Sequence, residues 1–358
     1  MLSPLSTHRF LGRVFAMMLA LGAICLVPSL NAQDTPPQNT AARDIPLISG
    51  GLAFFTSTNG GNTTYTPTLT PLTAIPVGPH VLFESRATLL ESFFPQGGGK
   101  GYTTAHFVGL SYAQIDYIFS PHITLVGGHF LIPFGTYNER LTPIWIMNLQ
   151  DGPLLYGIGT MGSGSGTGGM VRGSIMANDR ISLNYAAYVS AGTSNEQVSS
   201  SRSTGGQLNA FLPNARLEIG ASYGRLLEHP QSNAIGTHVW WTPGAFPLQL
   251  RSEYAHGPHS QGYWVETAYR LSQFNGDQST IGRLEPVFRI QQTFRNSPGS
   301  DGLPATDTQR IDFGLDYHLP HEVRINTSYA RRFSSTGDSN IWETALIYRF
   351  LFPAWRGK

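Results

Sequence analysis

Residues 179–191 read DRISLNYAAYVSA. Ile181, Leu183, Tyr185, Ala187 and Val189 fall on one face of an extended chain, and Arg180, Ser182, Asn184 and Ser190 on the other. Strict alternation of apolar and polar residues marks a strand whose two faces meet different surroundings. The pattern recurs on either side. Leu217, Ile219, Ala221 and Tyr223 oppose Arg216, Glu218 and Ser222. Ile311, Phe313, Leu315 and Tyr317 oppose Arg310, Asp312 and Asp316, and Trp342, Leu346, Tyr348 and Phe350 oppose Glu343 and Arg349. Read this way, strands are predicted at 47–57, 64–75, 80–94, 105–119, 122–133, 166–176, 179–191, 204–212, 214–226, 235–242, 247–256, 262–274, 280–294, 308–318, 321–333 and 339–350.

The gaps separate two architectures that share this pattern. A soluble sandwich has no reason to alternate short turns with long loops. Here Ser120-Pro121, Ala177-Asn178, Pro213, 243–246 and Leu319-Pro320 are short, while 95–104, 134–165, 192–203, 227–234 and 295–307 are long. Short turns on one rim and long loops on the other describe an all-β, transmembrane antiparallel β-barrel of about 16 strands. Pro67 and Pro71 lack the N–H a ladder needs. The count falls to 14 if residues 33–79 form a plug or lead-in instead. Fifteen Tyr, 20 Phe and 6 Trp, many near strand ends, suit membrane interfaces.

Residues 1–32 carry Arg9 and Arg13, then the apolar run VFAMMLALGAICLVP at 14–28, then small residues to Ala32. That is the plan of a secretory signal peptide cleaved near Ala32. The expected organisation is signal peptide 1–32, polar lead-in 33–46, barrel 47–350 with the long loop 134–165, and tail 351–358. Cys25, the single cysteine, leaves with the signal, so no disulfide framework forms. Cleavage lowers Lys+Arg from 23 to 21 against 22 acids. A near-neutral chain gives no case for nucleic acid. Charged residues make up 13% of the chain, where a soluble domain carries about 25%. Mean hydropathy is nevertheless only −0.12. Strands with one face in lipid and one in water account for both values.

Residues 128–135, Gly-His-Phe-Leu-Ile-Pro-Phe-Gly, followed by Tyr137-Asn138-Glu139-Arg140-Leu141, Pro143, Trp145 and Asn148-Leu149, resemble the G-x-F-x-x-P-F-G motif of the phosphate-selective porin O and P family and its uncharacterised porin-like relatives. The closing Tyr348-Arg349-Phe350 is similar too. The resemblance implies a trimeric, 16-stranded channel in a Gram-negative-type outer membrane. His129 and Leu131 stand where that family commonly has a basic or amide residue and a lysine. After signal removal only Lys100 and Lys358 remain as lysines, so the phosphate-binding lysine cluster has no counterpart.

Alternation directs Arg86, Asp116, His129, Arg216, Glu218, Arg251, Glu253, Arg270, Arg283, Glu285, Arg289, Arg310 and Arg324 to the lumen as pore-lining candidates. Glu84, Glu266, Asp312, Asp316, Glu343 and Arg349 join them. Arginines and acids in similar number either steer ions or neutralise one another. In the 134–165 loop, Glu139, Arg140, Trp145 and Asp151 are constriction candidates, set among Ile144, Ile146 and Leu154. A loop this apolar is expected to fold into the barrel rather than lie in water. The alternative is packing on a trimer neighbour.

The expected function is passive diffusion of small hydrophilic solutes or ions, with membrane lipid and further copies of the chain as partners and with no cofactor or metal. Gly157 to Gly162 matches GxGxxG, but SGSGTGG follows it rather than a helix pattern. The histidines show no zinc spacing. An outer-membrane hydrolase built on His259-Ser260, or a closed structural or adhesive barrel, are the alternatives from other classes.

Overall fold

The computed structural model describes residues 46–97, 101–156, 164–276, 278–299 and 301–353. The expected signal peptide, the expected lead-in up to residue 45, Lys100, the GxGxxG stretch at 157–162, and the expected tail from 354 with Lys358 lie outside the described residues. Sixteen strands follow one another: β1 (Leu47–Asn59), β2 (Asn62–Val77), β3 (Val81–Pro95), β4 (Tyr102–Ser120), β5 (Ile123–Leu131), β6 (Ser165–Ala177), β7 (Ser182–Ala191), β8 (Ser203–Leu212), β9 (Leu217–Leu226), β10 (Ser232–Trp241), β11 (Leu248–His256), β12 (Ser260–Tyr269), β13 (Leu284–Arg295), β14 (Thr308–Leu319), β15 (Val323–Ser334) and β16 (Ser339–Pro353). Each pairs with the next, and β1 pairs with β16 to close the barrel. The closing register runs antiparallel from Leu47 opposite Pro353 to Asn59 opposite Ile341. Among the described residues no helix is long and apolar enough to cross a membrane.

The count is therefore 16, not 14. β2 pairs with β1 along its whole paired length, from Asn62 to Ala74. Its ladder to β3 skips Thr66-Pro67 and Thr70-Pro71. The prolines break hydrogen bonds on one side without expelling the strand. Two ends differ from expectation. The strand expected to reach residue 274 stops at Tyr269 and gives way to a single helical turn, Ser272–Asn275, before β13 starts at Leu284. The last strand runs past Phe350 to Pro353, with the Phe350 and Phe352 rings stacked at 5.6 Å.

Alternation becomes two walls. In β14 Asp312 and Asp316 are 0% exposed, while Phe313 and Leu315 between them are 58% and 41% exposed. Leu208, Ile219, Ile235, Ile325, Trp342 and Leu346 extend the apolar exterior around the barrel. Leaving such a surface in water costs about 25 cal/mol per Å², a cost that vanishes in lipid.

The start of β1 and the end of β16 lie at the rim that carries connections 78–80, 121–122, 178–181, 213–216, 242–247, 270–283 and 320–322. The opposite rim carries 60–61, 96–101, 132–164, 192–202, 227–231, 257–259, 296–307 and 335–338. The short-and-long rule has exceptions on both rims, and 257–259 is only three residues on the long-loop rim. Gly60 and Gly61 (φ 57° and 84°) make a two-residue hairpin on the long-loop rim, and 270–283 is long on the short-turn rim.

Three arginines assigned to the lumen belong to turns. Arg216 is exposed at the end of the 213–216 turn with φ 49°. Arg270 follows β12 and donates to the Gly282 carbonyl at 3.0 Å. Arg283 precedes β13 and donates to Gln278 at 3.2 Å. In each case the sequence goes on alternating after the ladder has ended.

Candidate functional site

The 128–135 motif takes the chain off the wall and into the barrel. Phe130, fully buried, ends β5 against Val126, Met170 and Tyr188. Pro133 has no N–H to continue a ladder. Phe134 is buried beneath Gly236, where an added Cβ would meet its ring at 2.8 Å. Gly135 adopts φ 66°, and a Cβ there would sit 2.6 Å from the Glu253 carboxylate. Only glycine fits that combination. The Gly135 amide donates to Ser222 at 3.0 Å, and its carbonyl accepts from Gln207 at 2.6 Å.

Glu253 is the clamp at this entry point. One oxygen accepts from the Thr136 amide (2.5 Å), the Thr136 hydroxyl (2.6 Å) and the Tyr137 amide (2.8 Å). The other accepts from the Tyr156 hydroxyl. Asn138 joins the two ends of the loop. It donates to the carbonyls of Ile132 (2.9 Å) and Gly164 (2.8 Å) and accepts from the Gly164 amide (3.1 Å).

The loop then crosses the lumen. A π-helical turn, Tyr137–Leu141, buries Tyr137 and Leu141 with Leu155 against Trp264. Ile144 packs on Ala53, Ala345 and Ile347, with Trp145 beside it, so the loop reaches β1 and β16. Arg324 donates to the carbonyls of Ile144 (3.4 Å) and Met147. Asn326 donates to the Asn148 carbonyl at 2.5 Å, and Asn148 donates to Glu266 at 3.0 Å. Ser328 donates to Gln150 at 2.6 Å, and the Leu154 amide to Gln291 at 2.6 Å. Asp151 lies between Arg289 (2.7 Å) and Arg310. Burial alone would raise the Asp151 pKa, but the two guanidiniums outweigh it and hold it below the ordinary value.

The charged residues of this side are paired with one another as well as with the loop. Arg251 faces Glu266 at 3.6 Å, Arg310 faces Asp312 at 2.6 Å and Glu343 at 3.3 Å, and Arg324 faces Asp316 at 3.3 Å. Glu218 takes Arg140 from the loop at 2.5 Å and His238 at 3.3 Å, and the Arg140 guanidinium lies 4.3 Å from the Trp240 ring centroid. Glu285 pairs with His318 at 2.7 Å near the short-turn rim. Asp116 pairs with Arg172, and His129 bonds to Thr167 at 2.8 Å. Glu139 is half-buried on the loop. Burial pushes its pKa up to about 7, against the pull of Arg172 and Arg140.

What remains beside the loop is a cavity of about 520 Å³ against β1 to β4. Its wall side presents Thr66, Thr68, Thr70, Thr88 and Ser111 with Phe55, Leu90 and Arg86, and its loop side presents Thr142, Pro143, Ile144 and Met147. Of the sequence-derived candidates only Arg86 borders it. The hydroxyl-bearing residues were missed because threonine alternating with proline and leucine carries no charge signal. On the long-loop rim, His259 bonds to Ser297 (2.9 Å) while Ser260 donates to Asp301 (2.5 Å). The two side chains of the hydrolase alternative thus have separate partners and do not form a nucleophile–base contact.

No family model matches the chain. An uncharacterised protein of Aquifex aeolicus (strain VF5) is 24% identical over 316 residues, covering 73% of this chain and 69% of that protein. Among solved structures, Salmonella typhi OmpF in complex with daunomycin matches with TM-score 0.58 at 12% identity, over 85% of this chain and 97% of that one. OmpT of Vibrio cholerae in its trimer form matches with TM-score 0.54 at 10% identity, over 86% and 100%. The anion-selective porin from Comamonas acidovorans matches with TM-score 0.53 at 9% identity, over 85% and 99%. At these identities the likeness is one of fold, and the fold is that of the outer-membrane porins.

Proposed function

We propose that this chain is an outer-membrane channel through which small hydrophilic solutes or ions diffuse passively, by way of the space between the inserted loop and β1 to β4. The observation that carries this reading is the hydroxyl-lined cavity of about 520 Å³ inside a closed barrel with an apolar exterior. Barrels of about 16 strands are wide enough to leave an aqueous channel. The inserted loop narrows this one through Thr142, Pro143, Ile144 and Met147, which face the path opposite Arg86 on the wall, while the constriction candidates Glu139, Arg140, Trp145 and Asp151 lie on the loop outside the cavity, Arg140 and Asp151 fastening it to the far wall. Glu218, Glu253, Arg289, Arg310 and Arg324 line the interior and bond to the loop, while Asp116, His129, Arg251 and Glu285 line it in pairs with wall neighbours.

The reading includes export by a signal peptide cleaved near Ala32, residence in a Gram-negative-type outer membrane, and a homotrimer. The resemblance of residues 128–149 supports a relation to the phosphate-selective porin O and P family, without its lysine cluster.

Single-channel recording of the refolded protein in planar bilayers tests the proposal. Stepwise KCl currents of uniform size are expected, as is swelling of proteoliposomes in small sugars and not in large dextrans. A protein that inserts with its barrel intact and carries no current refutes it.

A further inference from the structure

We infer that Arg86 forms an anion site on the cavity, and that the site takes a small carboxylate with an apolar flank. This inference rests on the channel reading above. The wall arginines bonded to the loop, Arg289, Arg310 and Arg324, each meet a carboxylate. Arg86 forms no ion pair among the described residues, although it is only 6% exposed. Glu84, two residues away on the same face, turns to Gln114 instead, at 3.5 Å. No aspartate or glutamate borders the cavity among the described residues. A desolvated guanidinium with no protein counter-charge is costly, and a solute anion supplies what the protein does not.

The guanidinium is also held in place. It lies 5.3 Å from the Tyr112 ring centroid and donates through Nη2 to the Thr142 hydroxyl oxygen at 2.8 Å. Thr142 gives its own hydrogen to the Asn138 carbonyl at 3.0 Å, which leaves its oxygen free to accept. A guanidinium has five N–H donors, so most remain for a ligand. Thr88 and Ser111 lie 3.2 Å apart, oxygen to oxygen, and share one hydrogen. The other hydroxyl hydrogen of that pair is left for the same ligand. Phe55, Leu90 and Ile144 border the same cavity. One fixed cation, a spare hydroxyl and an apolar flank together fit a short-chain carboxylate. Inorganic phosphate, with more charge and no apolar part, would leave the flank unused.

Bi-ionic reversal potentials in planar bilayers test the site, with potassium butyrate, potassium chloride and potassium phosphate as probes. The wild-type channel is expected to prefer anions, with butyrate ahead of phosphate. Arg86→Gln is expected to lower the butyrate-to-potassium permeability ratio about tenfold. Arg86→Lys should recover part of the preference. On the wild-type protein alone, added butyrate should reduce the chloride current and butylammonium should not. Equal ratios in wild type and Arg86→Gln, or equal effects of butyrate and butylammonium, overturn the site. A phosphate preference overturns its ligand class. Absence of any current from the wild-type protein overturns the channel reading instead, and the site falls with it.

Discussion

Along β11 to β15 the inner wall presents Arg251, Glu253, Glu266, Arg289, Arg310 and Asp316, and each is bonded to the loop or to a charged neighbour on the wall. Along β2 to β4 it presents Thr66, Thr68, Thr70, Thr88 and Ser111, and there the loop touches the wall at Arg86 and otherwise leaves the cavity. The same alternation produced both surfaces. The difference lies in what the inward residues do. Charges on the first side are consumed in holding the loop, so a residue's charge and its inward direction do not make it available to a solute. On the second side no acid borders the cavity among the described residues, and the one guanidinium there keeps its capacity to bind.

The largest change should come from removing the loop that divides the two sides. Deleting residues 141–156 leaves Arg289 and Arg310 still paired with Asp312 and Glu266, so the barrel should assemble. Single-channel conductance should rise severalfold. Unchanged conductance would mean that the loop is not the restriction.

Next is the clamp. Glu253→Ala leaves the Thr136 and Tyr137 amides and the Tyr156 hydroxyl without their acceptor, at a cost of about 3 kcal/mol or more. The expected readouts are noisy, larger currents and a lower thermal midpoint. Glu253→Gln keeps one oxygen for the amides and should behave close to wild type. Equal damage from both would assign the effect to charge rather than to acceptor geometry.

Asp151→Asn comes third, at about 1.5 to 3 kcal/mol for a weakened charge-assisted contact. Neither arginine is stranded, because Asp312 serves both. Trypsin cleavage in the loop should quicken while the barrel fragments stay associated.

The smallest effect is in pH. With its folded pKa raised to about 7 from an ordinary 4.5, Glu139 binds more protons in the seated loop than in the released one. Its contribution is therefore complete below about 4.5 and is lost as pH rises through about 7. Current noise should grow over that window in the wild type and stay flat in Glu139→Gln. Asp151, with a lowered pKa, has the opposite sign and lets go only in acid, below the ordinary carboxylate range.

The barrel was legible because lipid enforces the period of two on one face, so Phe313 and Leu315 identify β14 without any knowledge of its neighbours. Strand ends were less legible. Alternation continues through Arg270-Leu271-Ser272-Gln273, yet the ladder stops at Tyr269, and Arg216, Arg270 and Arg283 were misplaced for that reason. The loop's apolar residues signalled insertion. Their partners were not readable, because placing Asp151 between Arg289 and Arg310 requires the register of two strands and the path of the loop at once. Glu253 looked like one more wall charge. Its role as clamp depends on Gly135 and Thr136, more than 100 residues earlier in the chain.

The pairing of Leu47 with Pro353 has a consequence for how the molecule is made. The two strands that complete the barrel are the first and the last in the described chain, so every other pairing can form while this one waits. Until it forms, β1 and β16 are open edges that any passing strand can join, and closing them carries the largest loop entropy in the fold. A chain stopped short of β16 leaves β1 without its closing partner and the sheet with two open edges.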